Sequence, residues 1–505
     1  MLTRRDLLVN GTAFAAAAPF AAGATEHDPT TLTLQRRVIE VNGKPASVYG
    51  VRQGDGYAGL VAEAGGRFRV RLENELSEPS LLHWHGLAPP SQQDGVPGLS
   101  GPAVPPGGMA DYDFPLAFGG TYFMHSHFGF QEQGLLAAPL IVRDPKRYPD
   151  WQEVVVMLAD FSFRPPQEIY ESLTGQKAAA GSMGGMAGMG SMGGAAHEGM
   201  DHAAHGAGME MSGMGHSDAM KHMPSQDGKP AAPMATHDLN DVAYDAFLAN
   251  ERTLADPQLI TVENGGRVLL RVINSACMSA FHADLGELPG MLVAVDGQDV
   301  AAVPGSRFPV AAGQRLDILV ELPKGARAFP IVFVLEGERK QTGVILAPRG
   351  AQVVRVAELA AQPSGALDLS LETQLRASQP LPQRKADRVI PLDLTGDMAS
   401  YVWSINNAIW TEKTPPIELA RGERVELVMT NKTMMSHPMH LHGHRFQVVE
   451  IDGRRLSGAL RDTALVPPGG RVVVAFDADN PGHWAFHCHL LYHAQAGMFA
   501  TFRYA

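Results

Sequence analysis

A chain of 505 residues with 45% hydrophobic residues has the length for about two to four domains and an ordinary globular composition. Its formal net charge of -12 argues against a general nucleic-acid binder, because phosphate contacts need a basic face. Beyond the N-terminus no run reaches the ~18 apolar residues of a membrane-spanning helix, so no membrane insertion is expected.

The chain opens with Thr3-Arg4-Arg5-Asp6-Leu7-Leu8, an Ala-rich apolar run and a small-residue site ending at Ala24. Residues 1–24 therefore read as a twin-arginine signal peptide, which predicts a periplasmic mature protein. Helical periodicity is scarce thereafter. Short alternating segments such as Arg67–Leu72 and Arg424–Met429 recur between Gly and Pro turns, as β-sandwich strands do.

An internal repeat organises these segments. Strands beginning at Arg67, Arg267 and Arg424 run to Asn74, Asn274 and Asn431 at equal spacing. The sixth, ninth and eleventh positions after each Asn are Ser80, His83 and His85; Ala280, Ala283 and Leu285; and His437, His440 and His442. A second block aligns His125-Ser126-His127 with His487-Cys488-His489, each following a Pro-Gly-Gly turn (Pro106–Gly108, Pro468–Gly470). Three related sandwiches are expected, at 28–150, 151–355 and 376–505, with 356–390 as a connector. The middle one lacks histidines in register. Residues 178–235, rich in Gly, Ala, Met and His, interrupt it and predict a mobile loop without a core.

Imidazole and thiolate are ligands that copper favours, and His₂Cys with a weak axial Met is the blue-copper set. His437, Cys488, His493 and Met498 supply one. Residues i and i+2 of a strand share a face while i+1 points oppositely. A metal behind Cys488 and another before His487 and His489 would thus be joined by a short covalent path for electrons, with successive Cα atoms ~3.8 Å apart. The remaining eight histidines form four His-x-His pairs, two from each outer sandwich, and suit a cluster of three copper ions if those sandwiches meet. The first-domain counterparts of His437 and Cys488 are Ser80 and Ser126, so that domain cannot hold a blue-copper site. Cys₄ or Cys₂His₂ zinc spacing is absent. Cys277, left alone, reads as a small buried apolar residue.

His-Cys-His-x₃-His-x₄-Met and the three other clusters resemble the copper-binding motifs of multicopper oxidases, over almost the whole mature chain. The resemblance implies cupredoxin-like Greek-key sandwiches and four copper ions. It implies type 1 copper at His437, Cys488, His493 and Met498, and type 2 copper at His83 and His440. One type 3 copper would lie at His85, His125 and His489, the other at His127, His442 and His487. Electrons would pass from a reductant near His493 or His437 through Cys488 to His487 or His489, and four of them reduce O2 to two waters. Asp94 matches an acid beside the oxygen path in relatives; as residues alone, Asp94-Gly95 also reads as a turn. Tyr492 stands where several relatives carry a second acid. Met498 implies a modest potential.

Residues 183–223 hold ten methionines and five histidines. Thioether selects Cu(I), so Met209, Met211, Met214, Met220, His222 and Met223 are candidates for Cu(I) capture. The sequence thus predicts an oxidase of Cu(I), with a small phenolic or aromatic-amine reductant as the laccase-like alternative and copper sequestration without turnover as the alternative of another class. A monomer is expected. His27, His237, His282, His444 and His483 read as surface or hydrogen-bonded residues rather than ligands.

Overall fold

The three repeated asparagines form the same set of hydrogen bonds, which explains their spacing. In the computed structural model, which describes residues 28–175 and 239–504, Asn431 Nδ2 donates to the carbonyls of Met435 (2.7 Å) and Val466 (2.9 Å), while its Oδ1 accepts from the Thr433 amide. Asn74 does the same with Glu78, Val104 and Leu76, and Asn274 with Ser279, Val310 and Ala276. A buried amide side chain thereby satisfies backbone groups of a loop that turns away from its strand. The loop after Asn431 leads into the strand His437–Leu441, the one after Asn74 into His83–His85.

Each asparagine also pairs with a glycine turn. The amide of Asn431 donates to Gly470 O, that of Asn74 to Gly108 O, and that of Asn274 to Gln314 O. Gly107, Gly313 and Gly469 adopt φ of 71°, 79° and 68°, where a side chain is disfavoured. The middle sandwich therefore keeps the turn without the Pro-Gly-Gly sequence.

The described chain forms six sheets. The first sandwich pairs the sheet containing Thr30–Val41, Arg67–Asn74 and Met109–Pro115 with one containing His83–His85 and Gly120–His125. The middle sandwich places Gln152–Phe161, Arg267–Asn274 and Arg315–Glu321 in one sheet and Phe281–Asp284 and Phe329–Leu335 in the other. The third faces a sheet built on Arg388–Asp397, Arg424–Asn431 and Arg471–Asp477 with one containing His437–Leu441, His483–Cys488 and Phe499–Tyr504. The fold is all-β, of cupredoxin-like Greek-key sandwiches.

Alternating strands bury one side: Arg67–Asn74 alternates strictly, with Phe68, Val70, Leu72 and Asn74 inside. The first sandwich has a core of its own around Phe68, Trp84 and Phe114. One continuous apolar cluster runs through the middle and third sandwiches. No helix among the described residues is long and apolar enough to cross a membrane. The signal-like residues 1–24 and the Met- and His-rich stretch 178–235 lie outside the described residues.

Replacing Asn431 with Ala strands two buried carbonyls and an amide. We expect denaturant unfolding to show a loss of about 3 kcal/mol, with Asn431→Asp losing at least as much, because its second oxygen faces the two carbonyls.

Candidate metal centre

Two equivalent strand pairs present the histidines. His83 pairs with His125 across the first sandwich, and His440 with His487 across the third. Within each His-x-His run, i and i+2 share a face. The two faces meet at the seam between the outer sandwiches. All eight imidazoles converge there, seven of them buried and His127 half-buried.

Hydrogen bonds on the outer ring nitrogens fix which nitrogen faces inward. His83 Nδ1 donates to the Asp94 carbonyl (2.8 Å), His440 Nδ1 to the Asp462 carbonyl (2.9 Å) and His487 Nδ1 to the Cys488 carbonyl (2.9 Å). His442 Nδ1 donates to Asp94 Oδ2 (2.8 Å) and His85 Nε2 to Asp462 Oδ1 (3.1 Å). The inner nitrogens then confront one another: His83 Nε2 and His440 Nε2 at 3.4 Å, His442 Nε2 and His487 Nε2 at 3.0 Å, His85 Nδ1 and His489 Nε2 at 3.2 Å. Donor atoms of His85, His125 and His489 lie within 4.8 Å of one another, as do those of His127, His442 and His487.

Behind this cluster, His437, Cys488 and His493 form a third buried set. Cys488 Sγ lies 3.6 Å from His437 Nδ1 and 3.9 Å from His493 Nδ1, and the two ring nitrogens are 3.2 Å apart. Their outer nitrogens are engaged too, His437 Nε2 with Thr433 Oγ1 and His493 Nε2 with Asp241 Oδ2, each at 2.8 Å. His493 rides on the short helix Leu491–Gln495. Met498 is buried; its carbonyl accepts from the Cys488 amide and its own amide donates to the His493 carbonyl.

These donor sets fit copper. Burial, reinforced by neighbouring rings, holds His85, His127, His440, His442 and His489 well below the usual histidine range; burial pushes His487 down to about 3. Neutral imidazole is the ligating form. His125 Nε2 and His127 Nε2 are buried without a protein partner, an arrangement that costs stability unless something else occupies the lone pairs. Burial raises the Cys488 thiol, and a bound cation is what would hold it as thiolate.

The first sandwich shows what replaces a ligand set. Ser80 and Ser126, in register with His437 and Cys488, both donate to Gln131 Oε1, at 2.7 and 2.8 Å. Gln131 stands four residues after His127, as His493 does after His489. A carboxamide and two hydroxyls thus satisfy each other where the third sandwich gathers thiolate and imidazoles.

Besides Asp462, three further acids touch these histidines. Asp94 has Oδ2 on His442, and its Oδ1 is 3.3 Å from His83 Nδ1. Asp241 accepts from His493 and from Tyr401 Oη (2.7 Å); although burial opposes it, these contacts hold its carboxyl below the usual range. Glu132 Oε1 lies 3.1 Å from His125 Nδ1. Sequence reasoning found Asp94 but missed Asp241 and Glu132, since neither sits in a recognisable motif. Tyr492 points away from the cluster: its hydroxyl donates to the Pro166 carbonyl. Cys277 is buried and free. His282, His444 and His483 lie outside the histidine sets, with His282 bonded to Gly365 O and His444 to Tyr504 Oη. His27, His237 and the methionine candidates lie outside the described residues.

Three sandwiches, the outer two with paired-histidine faces, and a buried His₂Cys set define a copper-dependent oxidoreductase. Family models described as multicopper oxidase match residues 33–147, 214–351 and 383–505, and the chain belongs to the multicopper oxidase family. Copper is its cofactor, typically as four ions of types 1, 2 and 3. It is 29% identical to multicopper oxidase MmcO of Mycobacterium tuberculosis over 479 residues, covering 93% of this chain and 85% of that protein. Copper resistance protein A of Escherichia coli is 25% identical over 584 residues, covering 94% and 92%. In fold it resembles a laccase from Botrytis aclada (TM-score 0.70, 20% identity, covering 94% and 88%) and a multi-copper oxidase from Pseudomonas thermotolerans (TM-score 0.66, 21% identity, covering 96% and 100%).

Burial pushes the Glu132 carboxyl up to about 8 from an ordinary 4.5. The folded state therefore favours the neutral acid, and its contribution is lost as pH rises from about 4.5 through 8. In copper-free protein, the urea midpoint of the wild type should fall over that window relative to Glu132→Gln. Parallel curves would contradict this environment for Glu132.

Proposed function

We propose that this chain oxidises Cu(I) with dioxygen as acceptor, outside the cytoplasm, after export by the twin-arginine route. Four cuprous ions would give up one electron each, and O2 with four protons would become two waters. In this reading His437, Cys488, His493 and Met498 hold the type 1 ion and His83 and His440 the type 2 ion. His85, His125 and His489 hold one type 3 ion, and His127, His442 and His487 the other. Bound in these sets, copper would supply single-electron acceptance at Cys488 and four-electron delivery to dioxygen at the imidazole cluster.

The protein's own part is orientation, insulation and protons. Cys488 shares its backbone with His487 and His489, so donor groups of the two sets are one peptide apart. Asp94 fixes His442 through Oδ2, while its Oδ1 has no hydrogen-bond partner among the described residues and lies 3.3 Å from His83 Nδ1, free to take part in proton delivery. Glu132, beside His125, is a second acid available at neutral pH.

One observation supports Cu(I) as the substrate. The chain enters and leaves the Met- and His-rich stretch beside the type 1 helix. On the entering side, Tyr170 Oη donates to the Gln495 carbonyl, and the Pro166 carbonyl accepts from Tyr492. On the leaving side, Asp241 binds His493 itself. The described residues flanking that stretch, whose sequence is rich in the soft thioethers that suit Cu(I), thus lie next to the proposed electron-accepting site.

Oxygen uptake by the copper-loaded protein tests this reading. Deleting 178–235 should abolish uptake driven by Cu(I) while sparing uptake driven by a phenol. Unchanged Cu(I) oxidation would point to the laccase-like reading, and no uptake with any donor to sequestration. Asp94→Asn should lower turnover about 10–100-fold and leave the blue absorbance of the thiolate site intact.

A further inference from the structure

The middle sandwich contributes no copper ligand, yet its glycine turn, residues 311–315, enters the seam where the outer two meet. We propose that this turn positions the imidazole cluster, with Arg315 acting on His85 and Gly313 on His489. The proposal rests on the ligand reading above.

Arg315 is fully buried. Its Nε donates to the Thr121 carbonyl of the first sandwich (3.1 Å) and its Nη1 to the Gly313 carbonyl (2.8 Å). Nη1 also donates to Asp462 Oδ1 at 2.7 Å, while Nη2 donates to Oδ2. Such a bidentate fork fixes a carboxylate in plane as well as in position. Asp462 Oδ1 in turn accepts from His85 Nε2. Held there, His85 keeps its proton on Nε2 and offers Nδ1 to the cluster, facing His489. The Asp462 backbone carbonyl fixes His440 in the same way. One guanidinium of the middle domain thus sets a carboxylate of the third domain that orients a ligand of the first.

The packing leaves no slack. Gly86, directly after His85, has φ of 89°; a methyl group there would lie 2.4 Å from Arg315 Nη2 and 2.7 Å from Asp462 Oδ2. Gly313, with φ of 79°, lies against His489, and a methyl group on it would come within 2.8 Å of the ring carbons. Gln314 Nε2 donates to the Thr463 carbonyl (3.1 Å), and the Arg315 and Thr463 amides approach the two oxygens of Asp296. A single turn therefore abuts ligands from both outer domains.

The type 1 donors all lie in the third sandwich, and none of them is hydrogen-bonded to this turn, which makes the test selective. Full-length wild type, Arg315→Met, Arg315→Lys and Gly313→Ala are loaded with copper. Copper per chain, the blue thiolate band and the electron paramagnetic resonance of the type 2 ion are then recorded. In every variant the blue band should persist. Arg315→Met should fall from four ions toward the type 1 ion alone, and Arg315→Lys should lie between, since a point charge replaces the fork. Gly313→Ala, which crowds His489 of a type 3 set, should lower copper per chain or uncouple the type 3 pair, seen as a further paramagnetic signal beside that of the type 2 ion. If Arg315→Met yields no folded protein, the other two variants decide. Full copper with wild-type resonance in both would overturn the proposal, as would a blue band lost in proportion to total copper. Wild type with a blue band and four ions shows that such a failure belongs to the positioning role and not to the ligand reading.

Discussion

Eight imidazoles facing one another across a domain seam are the constraint that shapes this molecule. Seven of them buried and His127 half-buried, they present ring nitrogens at separations such as the 3.0 Å between His442 and His487. Neutral rings so placed do not attract one another strongly, and desolvation opposes their charging. The outer sandwiches must therefore be held together by groups around the cluster. Asp94 joins the first sandwich to His442 of the third, and Asp462 joins the third to His85 of the first. Buried carboxylates are costly unless paired. Asp462 is paired with Arg315 and shares Asp296 as a neighbour, so the middle sandwich supplies the counter-charge that the outer two lack.

A second consequence concerns electron entry. His493 and Asp241 are both fully buried at their side chains, and the Trp403 ring lies 4.0 Å from the His493 ring. Among the described residues, no imidazole edge of His493 is open to a donor at the surface. Asp241, which follows the Met- and His-rich stretch in sequence, bonds His493 directly.

The sequence made the repeat and its ligands readable because both are local and periodic. Asparagine, histidine and the glycine turn recur at fixed offsets, and strand geometry then assigns each side chain to a face. The serines at 80 and 126 stand in register with His437 and Cys488, and both bond Gln131. That partner was not readable, because a lone Gln carries no motif and its meaning lies in two hydroxyls 51 and five residues away. Arg315 and Asp241 were hidden because their partners lie far along the chain. Asp241 meets His493 across 252 positions and Arg315 meets Asp462 across 147, contacts that exist only once the sandwiches have docked. Asp94 was found through its resemblance to relatives; its bond to His442, 348 positions on, shows why an Asp-Gly turn there serves more than the turn.

The central claim is that a metal cluster is shared between the first and third sandwiches. Crystals of the copper-loaded protein, measured with X-rays on either side of the copper absorption edge, test it most directly. The account predicts one anomalous peak beside Cys488 and three among the eight imidazoles at the seam. Peaks confined to one sandwich, or none at the seam, would contradict it.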